Sequence, residues 1–318
     1  MTFDLASLTK PLVTAPLALA YLDLAMDRRW QLGFTGWETP LTARQLLSHS
    51  AGLPPWRPFT GEGVARQLSR PVGADPLLHG GPVGLSTYSD LGYRLLAELL
   101  EAELGVDWRV LGAAASGLAP WPWDPAPVHL PPGRDREAWS AATTQAFPEA
   151  VTGAPHDGNA RAGMKGHAGF GTTEAQFRAA LRVWVGSGWP HRMAELAART
   201  AEGQIWGLGL LNAQRGSGRF AEALLRIPEG IGGVHVVASP ATSAPPEPPP
   251  LSALPGEPTG WWYHTGYTGP LLAVRPSDGC TVGLLVHRLG PSGELLGEAA
   301  LRGRRWDLLN RLADTLQG

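Results

Sequence analysis

The beginning of the chain holds a serine three positions ahead of a lysine, Ser7-Leu8-Thr9-Lys10, at the start of an apolar run. On a helix this spacing places both side chains on one face of the first turn. A neutral lysine there can take the proton of the serine hydroxyl, and the helix N-terminus favours the negative charge that follows. These residue types at this spacing indicate an acyl-transfer site.

The Ser-x-x-Lys spacing is not specific by itself. The chain has two lysines, Lys10 and Lys165, and fifteen serines, so a chance pair at this offset is expected about one time in ten. A serine that caps a helix, followed by a solvated lysine in the first turn, produces the same pattern. The motif alone therefore leaves a catalytic pair and a helix cap both open.

Composition limits the class of protein. The chain has 318 residues, of which 43% are hydrophobic and 17% are charged, which is typical of a globular protein with a large core and about two lobes. The net charge is −2 and basic residues do not cluster, so nucleic acid and anionic membranes are not expected partners. A single cysteine, Cys280, excludes an internal disulfide and a cysteine-based metal cluster.

The sequence lacks the motifs of a signal peptide, a membrane span and several other common classes of enzyme site. No basic region precedes a hydrophobic one at the start, and the apolar stretch 11–20 is short and contains proline, so we expect a cytoplasmic protein without a membrane span. The chain contains no Gly-x-Ser-x-Gly elbow, no phosphate loop, no His-Glu-x-x-His and no Cys-x-x-Cys. We therefore expect neither a metal nor a cofactor.

Hydrophobic periodicity predicts where the elements lie. It predicts helices over 8–28, 42–49, 91–100, 172–185 and 301–316, with Asp90 as an N-cap and Thr172 or Thr173 as another. It predicts strands over 205–211, 233–238, 261–264, 271–274 and 281–287, with a turn at 277–279. Two stretches rich in proline, 118–134 and 240–258, are predicted to be exposed loops. The strands are therefore concentrated in the second half of the chain.

Four motifs occur in an order that resembles the serine β-lactamase and penicillin-binding-protein superfamily. They are Ser7-Leu8-Thr9-Lys10, Leu46-Leu47-Ser48-His49-Ser50-Ala51-Gly52-Leu53, Tyr88-Ser89-Asp90 and His264-Thr265-Gly266. Within that superfamily the chain is most similar to the class C β-lactamase-related group, which includes D-alanyl-D-alanine carboxypeptidases and β-lactamase-like esterases. Two polar clusters resemble a subset of this group: His156-Asp157-Gly158-Asn159-Ala160 and Gly166-His167-Ala168-Gly169.

The resemblance implies a role for each matching residue. Ser7 would be the nucleophile that forms an acyl-enzyme, Lys10 the base that activates it, and Tyr88 a second proton shuttle that needs cationic Lys10 nearby. The backbone N–H groups of Ser7 and Tyr267 would form the oxyanion hole. Asp90, together with the segment His264-Thr265-Gly266, would contact the substrate.

Two of these positions depart from the pattern of the resembling family. Asp90 replaces the usual asparagine, and His264 replaces the usual lysine, so both changes lower the positive potential of the site. An ester or amide without a carboxylate is therefore favoured as substrate. The charge of His264 is expected to shape activity between about pH 5 and 8, unless His264 is only a half-buried strand residue.

For other polar residues a structural role competes with a functional one. His49 and Ser50 follow a predicted helix end and are expected to be structural. His156, Asp157 and Asn159 either line the cleft or hold a loop by local hydrogen bonds, and the sequence leaves both open.

These observations together predict one α/β (α+β) domain of the serine β-lactamase type. Residues 1–40 and 204–318 would form a sheet lobe and residues 41–203 a mostly helical lobe, with the site between them. We expect a serine hydrolase, first a carboxylesterase or amidase that acts on small acyl substrates. A D-alanyl-D-alanine carboxypeptidase or β-lactamase, and a non-catalytic binding protein, are the alternatives.

The nucleophile motif lies close to Met1, whereas in the resembling family a helix and strands precede it. We therefore expect N-terminal strands of the sheet to be missing from the 318 residues, which would leave a strand edge or an apolar face uncovered. Such an edge would favour self-association. An upstream start codon is the preferred explanation for the missing strands, and a partner that covers the gap or a degenerate remnant of the fold are the alternatives.

Overall fold

The computed structural model describes residues 2–33, 40–69, 80–121, 155–214, 219–239, 257–290 and 294–318. Within them the strands are β1 Phe3–Asp4, β2 Ala119–Pro120, β3 Phe170–Thr172, β4 Ala198–Arg199, β5 Ile205–Trp206, β6 Leu211–Asn212, β7 Val234–Ser239, β8 Trp262–Thr265, β9 Leu271–Arg275 and β10 Cys280–Val286. The helices are α1 Ala15–Tyr21, α2 Ala43–Leu47, α3 Val64–Ser69, α4 Asp90–Leu104, α5 Trp108–Ser116, α6 Gly158–Arg161, α7 Glu174–Gly186, α8 Trp189–Met193, α9 Arg219–Leu225 and α10 Glu298–Gln317.

The strands form two sheets. The larger has seven strands in the order β4-β5-β6-β8-β9-β10-β7, and the smaller has three in the order β1-β3-β2. Every neighbouring pair is antiparallel except β10 and β7, which are parallel. The mixed α/β architecture that the sequence predicts is therefore confirmed. The division into two lobes stays a prediction, although strands β2, β3 and β4 lie inside the region expected to be mostly helical.

Helices cover both faces of the large sheet. Helix α7 packs on β7 and β10, where Gly283 lets it approach closely: a Cβ at this position would lie 2.5 Å from Phe177 and 2.9 Å from Leu181. Helices α9 and α10 pack on each other over the second face, in a core cluster that includes Leu224, Leu309 and the inward residues of β9 and β10. The sheet is therefore a rigid middle layer whose β8 end can present side chains to a site.

The N-terminal helix differs from its prediction. The predicted helix 8–28 is a 3-10 turn over Ala6–Leu8, a π-type segment over Lys10–Thr14 and α1, which ends at Tyr21 because Leu22 is extended. Pro11 and Pro16 occupy first-turn positions of the later two segments. Proline cannot donate the backbone hydrogen bond of a regular helix, and this explains why the segments change there.

Two other elements also differ from prediction. The single strand expected over 205–211 is the hairpin β5–β6, in which Trp206 pairs with Leu211 around a turn that contains Gly209 at φ 98°. The N-cap of α4 is Ser89, which accepts from the Gly92 N–H, and Asp90 is the first helical residue. The carboxylate of Asp90 is therefore not used as a cap.

The predicted strands 233–238, 261–264, 271–274 and 281–287 agree with β7 to β10 within one or two residues. In the sheet order of the described residues, β7 lies next to β10 and has no further strand on its other side. Its six residues are all half-buried. The sheet edge on this side is therefore β7, and self-association through it stays a prediction. Most of the predicted loops, 122–134 and 240–256, lie outside the described residues.

No helix in the described part of the chain has both the length and the apolar character needed to span a bilayer.

Candidate active site

Ser7 lies on a tight turn that the chain holds in an unusual backbone conformation. Ala6 has φ 44°, in the left-handed region that residues with a side chain rarely adopt. The Asp4 carboxylate stabilises this turn, since one oxygen accepts from the Ala6 N–H at 2.8 Å and the other from the His156 N–H at 2.8 Å. Ser7 follows within the 3-10 turn and stays partly accessible.

Lys10 is completely buried beside Ser7. Its Nζ donates to Ser7 Oγ at 3.0 Å and to the carbonyl oxygen of His167 at 3.2 Å, and it pairs with Asp90 Oδ1 at 2.7 Å. The alternative in which Lys10 is a solvated first-turn residue is therefore wrong. All three partners are oxygen atoms, so the site is built to hold an ammonium group.

The charge state of Lys10 follows from these contacts. Burial alone lowers the pKa of Lys10, but the nearby Asp90 carboxylate and the Tyr88 phenol outweigh burial, so that the pKa is raised above that of an ordinary lysine. Lys10 is thus a cation at neutral pH. In the resting site it donates a hydrogen bond to Ser7 instead of accepting one, which differs from the neutral lysine that the sequence suggests.

Tyr88 joins Ser7 and Lys10 from the segment that precedes α4. The Lys10 ammonium lies 4.8 Å from the centroid of the Tyr88 ring, and the phenol interacts with the side chains of Lys10 and Ser7. Burial raises the pKa of Tyr88, and the Lys10 cation and the contact with Ser7 only partly oppose it. The phenol is therefore protonated at neutral pH, within reach of the groups between which it would carry a proton.

The end of β8 lies directly against the turn that bears Ser7. A Cβ on Gly266 would lie 2.7 Å from the carbonyl oxygen of Leu5, and Thr268 Oγ1 donates to the Asp4 carbonyl at 2.8 Å. Arg305 of α10 fixes this segment, since it donates to the carbonyls of Gly266 at 2.7 Å and Gly269 at 2.8 Å. These contacts place the backbone of residue 267 next to the Ser7 turn.

His264 lies on β8 and is buried and neutral. It is 4% exposed, and its Nδ1 lies 2.9 Å from the Thr265 carbonyl, while Thr265 itself is half-buried at the end of the strand. Burial, together with the Lys10 cation, lowers the pKa of His264 to about 3. The expectation that His264 changes charge between pH 5 and 8 is therefore wrong, because desolvation keeps the imidazole uncharged through that range.

Of the polar residues at 156–159, one lies at the cleft, and the others make local hydrogen bonds that hold a helix end and a loop. The ring of His156 stacks on Tyr267, with centroids 5.2 Å apart and planes 12° apart, and so lies at the rim of the site. Asp157 caps α6 and its Oδ1 lies 2.9 Å from His167 Nε2. Asn159 holds a loop, since it donates to the Arg57 carbonyl and accepts from the Phe59 N–H.

Sequence reasoning assigned no role to several residues that the structure places at the site. Asp4 stabilises the Ser7 turn, the His167 carbonyl binds Lys10, and Trp206 makes an edge contact with His264, with centroids 6.2 Å apart. The motif Gly166-His167-Ala168-Gly169 pointed to His167 in the sequence. No motif in the sequence pointed to Asp4 or Trp206. Their roles arise from contacts between residues far apart in sequence.

Among the described residues, Asp90, Asp157 and His167 offer ligand atoms that all lie within 4.8 Å of one another. These atoms are already engaged, because Asp90 pairs with Lys10 and His167 Nε2 contacts Asp157. A metal cation here would have to displace the Lys10 ammonium from Asp90. The residues present therefore fit a buried ammonium group better than a metal ion.

Comparisons with known proteins find the same fold in solved structures. The chain is similar to the solved structure of SurE with D-Leu, with 18% identity and a TM-score of 0.54, and the match covers 99% of this chain and 64% of SurE. A beta-lactamase from Sulfitobacter sp. EE-36 shows 18% identity, a TM-score of 0.56 and coverage of 98% and 84%. A class C beta lactamase from Rhodobacter sphaeroides shows 16% identity, a TM-score of 0.57 and coverage of 98% and 85%.

The structural likenesses show a shared fold, and this chain spans only 64% of the length of SurE. No curated protein matches the chain. The family model described as Beta-lactamase matches residues 1–304, which include Ser7, Lys10, Tyr88 and His264. On this match, and with the fold of the solved beta-lactamases, the chain belongs to the Beta-lactamase family.

Proposed function

We propose that this protein is a serine hydrolase that acts through an acyl-enzyme on small esters or amides. The observation that carries the proposal is the contact of Lys10 Nζ with Ser7 Oγ at 3.0 Å, inside a buried site that also holds Tyr88. A serine hydroxyl that is hydrogen-bonded to a cation and lies beside a phenol has a nearby route for its proton and a charge that stabilises the alkoxide.

In the proposed reaction, the Lys10–Tyr88 pair first loses one proton to solvent; Ser7 Oγ then attacks the substrate carbonyl and passes its own proton to the pair. The oxyanion that forms is stabilised by the backbone N–H groups of Ser7 and Tyr267, which the contact of Gly266 with the Ser7 turn supports. The same pair returns the proton to the leaving alcohol or amine. Water then attacks the acyl-enzyme and gives a proton to the pair; the ester bond to Ser7 Oγ breaks, the acid leaves, and the pair returns the proton to Ser7 Oγ.

The charges around Ser7 support a substrate without a carboxylate. Asp90 neutralises Lys10 at 2.7 Å, and His264 is uncharged. A substrate carboxylate near these groups would find no uncompensated cation to bind it. A neutral ester or amide needs no such cation, so a carboxylesterase or amidase is the preferred assignment.

One observation favours the alternative of a D-alanyl-D-alanine carboxypeptidase or β-lactamase. The guanidinium of Arg288 lies 4.2 Å from the centroid of the Tyr267 ring, and Tyr267 is half-exposed at the rim of the site. Glu298 lies 3.4 Å from this guanidinium and offsets its charge. If a substrate displaced that weak pairing, Arg288 could bind its carboxylate.

The first test identifies the nucleophile. A fluorophosphonate probe followed by peptide mapping is expected to label Ser7, and the Ser7→Ala variant is expected to lose labelling and ester hydrolysis. Ser187→Ala, at an exposed helix end, serves as the matched control and is expected to label as the unchanged protein does. Label on a different serine, or full labelling of Ser7→Ala, would refute the assignment.

The second test compares two esters that differ by one charge, p-nitrophenyl butyrate and p-nitrophenyl hemisuccinate. We expect kcat/KM to be at least about ten times higher for the neutral ester, because the anionic ester would lose the hydration of its carboxylate in a site without an uncompensated cation. A difference of about 1.4 kcal/mol corresponds to that factor. A preference for the anionic ester that is lost in Arg288→Gln would instead establish the carboxylate-binding alternative.

A further inference from the structure

We propose that His49 is the positioning residue of Tyr88: it holds the phenol against Ser7 and Lys10 without touching the substrate. The inference rests on the proposed function, because it assumes that Tyr88 carries a proton. His49 lies just after α2, in the segment that the sequence indicated to be structural only.

Hydrogen bonds tie the chain to His49 on both sides of Tyr88. The N–H of Thr87 donates to the His49 carbonyl at 2.8 Å, and the N–H of Ser89 donates to His49 Nδ1 at 3.0 Å. The imidazole also packs on the Tyr88 ring, with centroids 4.7 Å apart. His49 therefore binds the backbone on both sides of Tyr88 and packs against the Tyr88 ring. A shift of His49 would move the phenol.

The same contacts determine the protonation of His49. Since Nδ1 accepts from Ser89, the neutral ring carries its proton on Nε2. His49 is 2% exposed, and Nε2 has no hydrogen-bond partner among the described residues. His264 shows the opposite tautomer, because its Nδ1 faces a carbonyl, and its Nε2 also lacks a partner there. Both rings contact Tyr88 and Trp206, so a neutral His49 shares one buried cluster with the phenol.

The backbone of His49 is held as tightly as its side chain. Its φ is 58°, in the left-handed region, where asparagine and glycine are tolerated better than most residues. Asparagine can also place an acceptor near the position of Nδ1, whereas glutamine reaches only the position of Nε2. These three replacements therefore separate the backbone requirement from the acceptor requirement.

The test measures kcat and KM for p-nitrophenyl acetate in His49→Gly, His49→Asn and His49→Gln. His49→Gly keeps the backbone conformation but removes the acceptor, and we expect kcat to fall at least about ten-fold, with KM changed less than about three-fold. His49→Asn is expected to stay within about three-fold of the unchanged protein. If His49→Gly does not fold, Asn should remain active and Gln should not; equal loss in both would overturn the proposal.

A double-variant cycle distinguishes positioning from general destabilisation. In a Tyr88→Phe background, His49→Gly should not slow fluorophosphonate labelling of Ser7 further, because there is no phenol left to position. An equal slowing in both backgrounds would mean that His49 is only structural, and unchanged activity in His49→Gly would also refute the proposal.

The two proposals fail differently. If Ser7→Ala and Tyr88→Phe abolish activity but His49→Gly does not, only the role of His49 is wrong. If Ser7→Ala or Tyr88→Phe keeps full activity, the proposed function is wrong and the role of His49 with it.

Discussion

At the scale of single residues, Asp90 controls the charge of the site. Its carboxylate pairs with Lys10 at 2.7 Å and raises the pKa of both Lys10 and Tyr88. Whichever of the two takes the proton of Ser7, it must first lose its own, and Asp90 makes that loss harder. The proposed hydrolase should therefore become faster as pH rises from neutral.

Replacing Asp90 by asparagine tests this directly. In Asp90→Asn the two pKa values fall, so the rising limb of the labelling rate between pH 6 and 10 should move to lower pH by at least about one unit. Asp107→Asn is the matched control, because it removes a carboxylate 2.6 Å from the other lysine, Lys165, and keeps a helix-capping side chain. An unchanged limb in Asp90→Asn would show that neither Lys10 nor Tyr88 is the group that titrates.

At the scale of elements, the site exists because β8 touches the Ser7 turn. Gly266 permits this approach, since a Cβ there would lie 2.7 Å from the Leu5 carbonyl and 2.8 Å from Pro270. The neighbours on both sides are held: Asp4 hydrogen-bonds the turn, and Arg305 hydrogen-bonds the carbonyl of Gly266. Thr268 Oγ1 also donates to the Asp4 carbonyl, so the turn and the segment after β8 cannot separate without breaking this hydrogen bond.

The variant Gly266→Ala is therefore expected to separate β8 from the turn. Labelling of Ser7 should slow at least about ten-fold, and the free energy of unfolding should fall by about 1–3 kcal/mol, as in an overpacked core. Gly186→Ala, at the end of α7, has nothing within 4 Å of the added Cβ and should leave both quantities nearly unchanged. Equal behaviour of the two variants in urea titrations and labelling would contradict the close contact.

At the scale of the whole molecule, the chain buries several histidines in neutral form. Burial lowers the pKa of His264 to about 3 and that of His287 to about 4, and it lowers the pKa of His49 well below the ordinary value of 6.5. The unfolded chain binds these protons below pH 6.5, but the folded chain does not. The stability is therefore fully present above pH 6.5 and is lost as pH falls towards 3.

Urea unfolding between pH 8 and 5 checks this expectation. Below pH 6.5 each neutral histidine should lower the free energy of unfolding by about 1.4 kcal/mol per pH unit. His264→Gln should reduce this slope by the contribution of one histidine. His191→Gln, at an exposed position of α8, should leave the slope unchanged. A slope that is the same for all three proteins would mean that His264 titrates as freely as an exposed histidine.

Local sequence was sufficient to predict many of the helices and strands and the contact between Ser7 and Lys10. Strands β7 to β10 and helices α4, α7 and α10 follow from periodicity, because a strand or helix with one buried face repeats apolar residues at a fixed spacing. The order of motifs was sufficient to group Ser7, Lys10 and Tyr88, and the structure places these three side chains together. The two-residue strands and the end of α1 at Tyr21 were not predictable from periodicity, because a stretch of two residues is too short to show a repeat.

Only the tertiary structure decided the charges. The sequence left Lys10 open as a neutral base or as the cation that Tyr88 needs, and it made His264 a group that titrates near neutral pH. In the fold, Asp90 keeps Lys10 cationic and burial keeps His264 uncharged. Asp4, His49 and His167 likewise gained their contacts with the site from residues distant in the chain. A pKa and a hydrogen-bond partner depend on which groups surround a side chain in space, and the spacing of residues along a sequence does not contain that information.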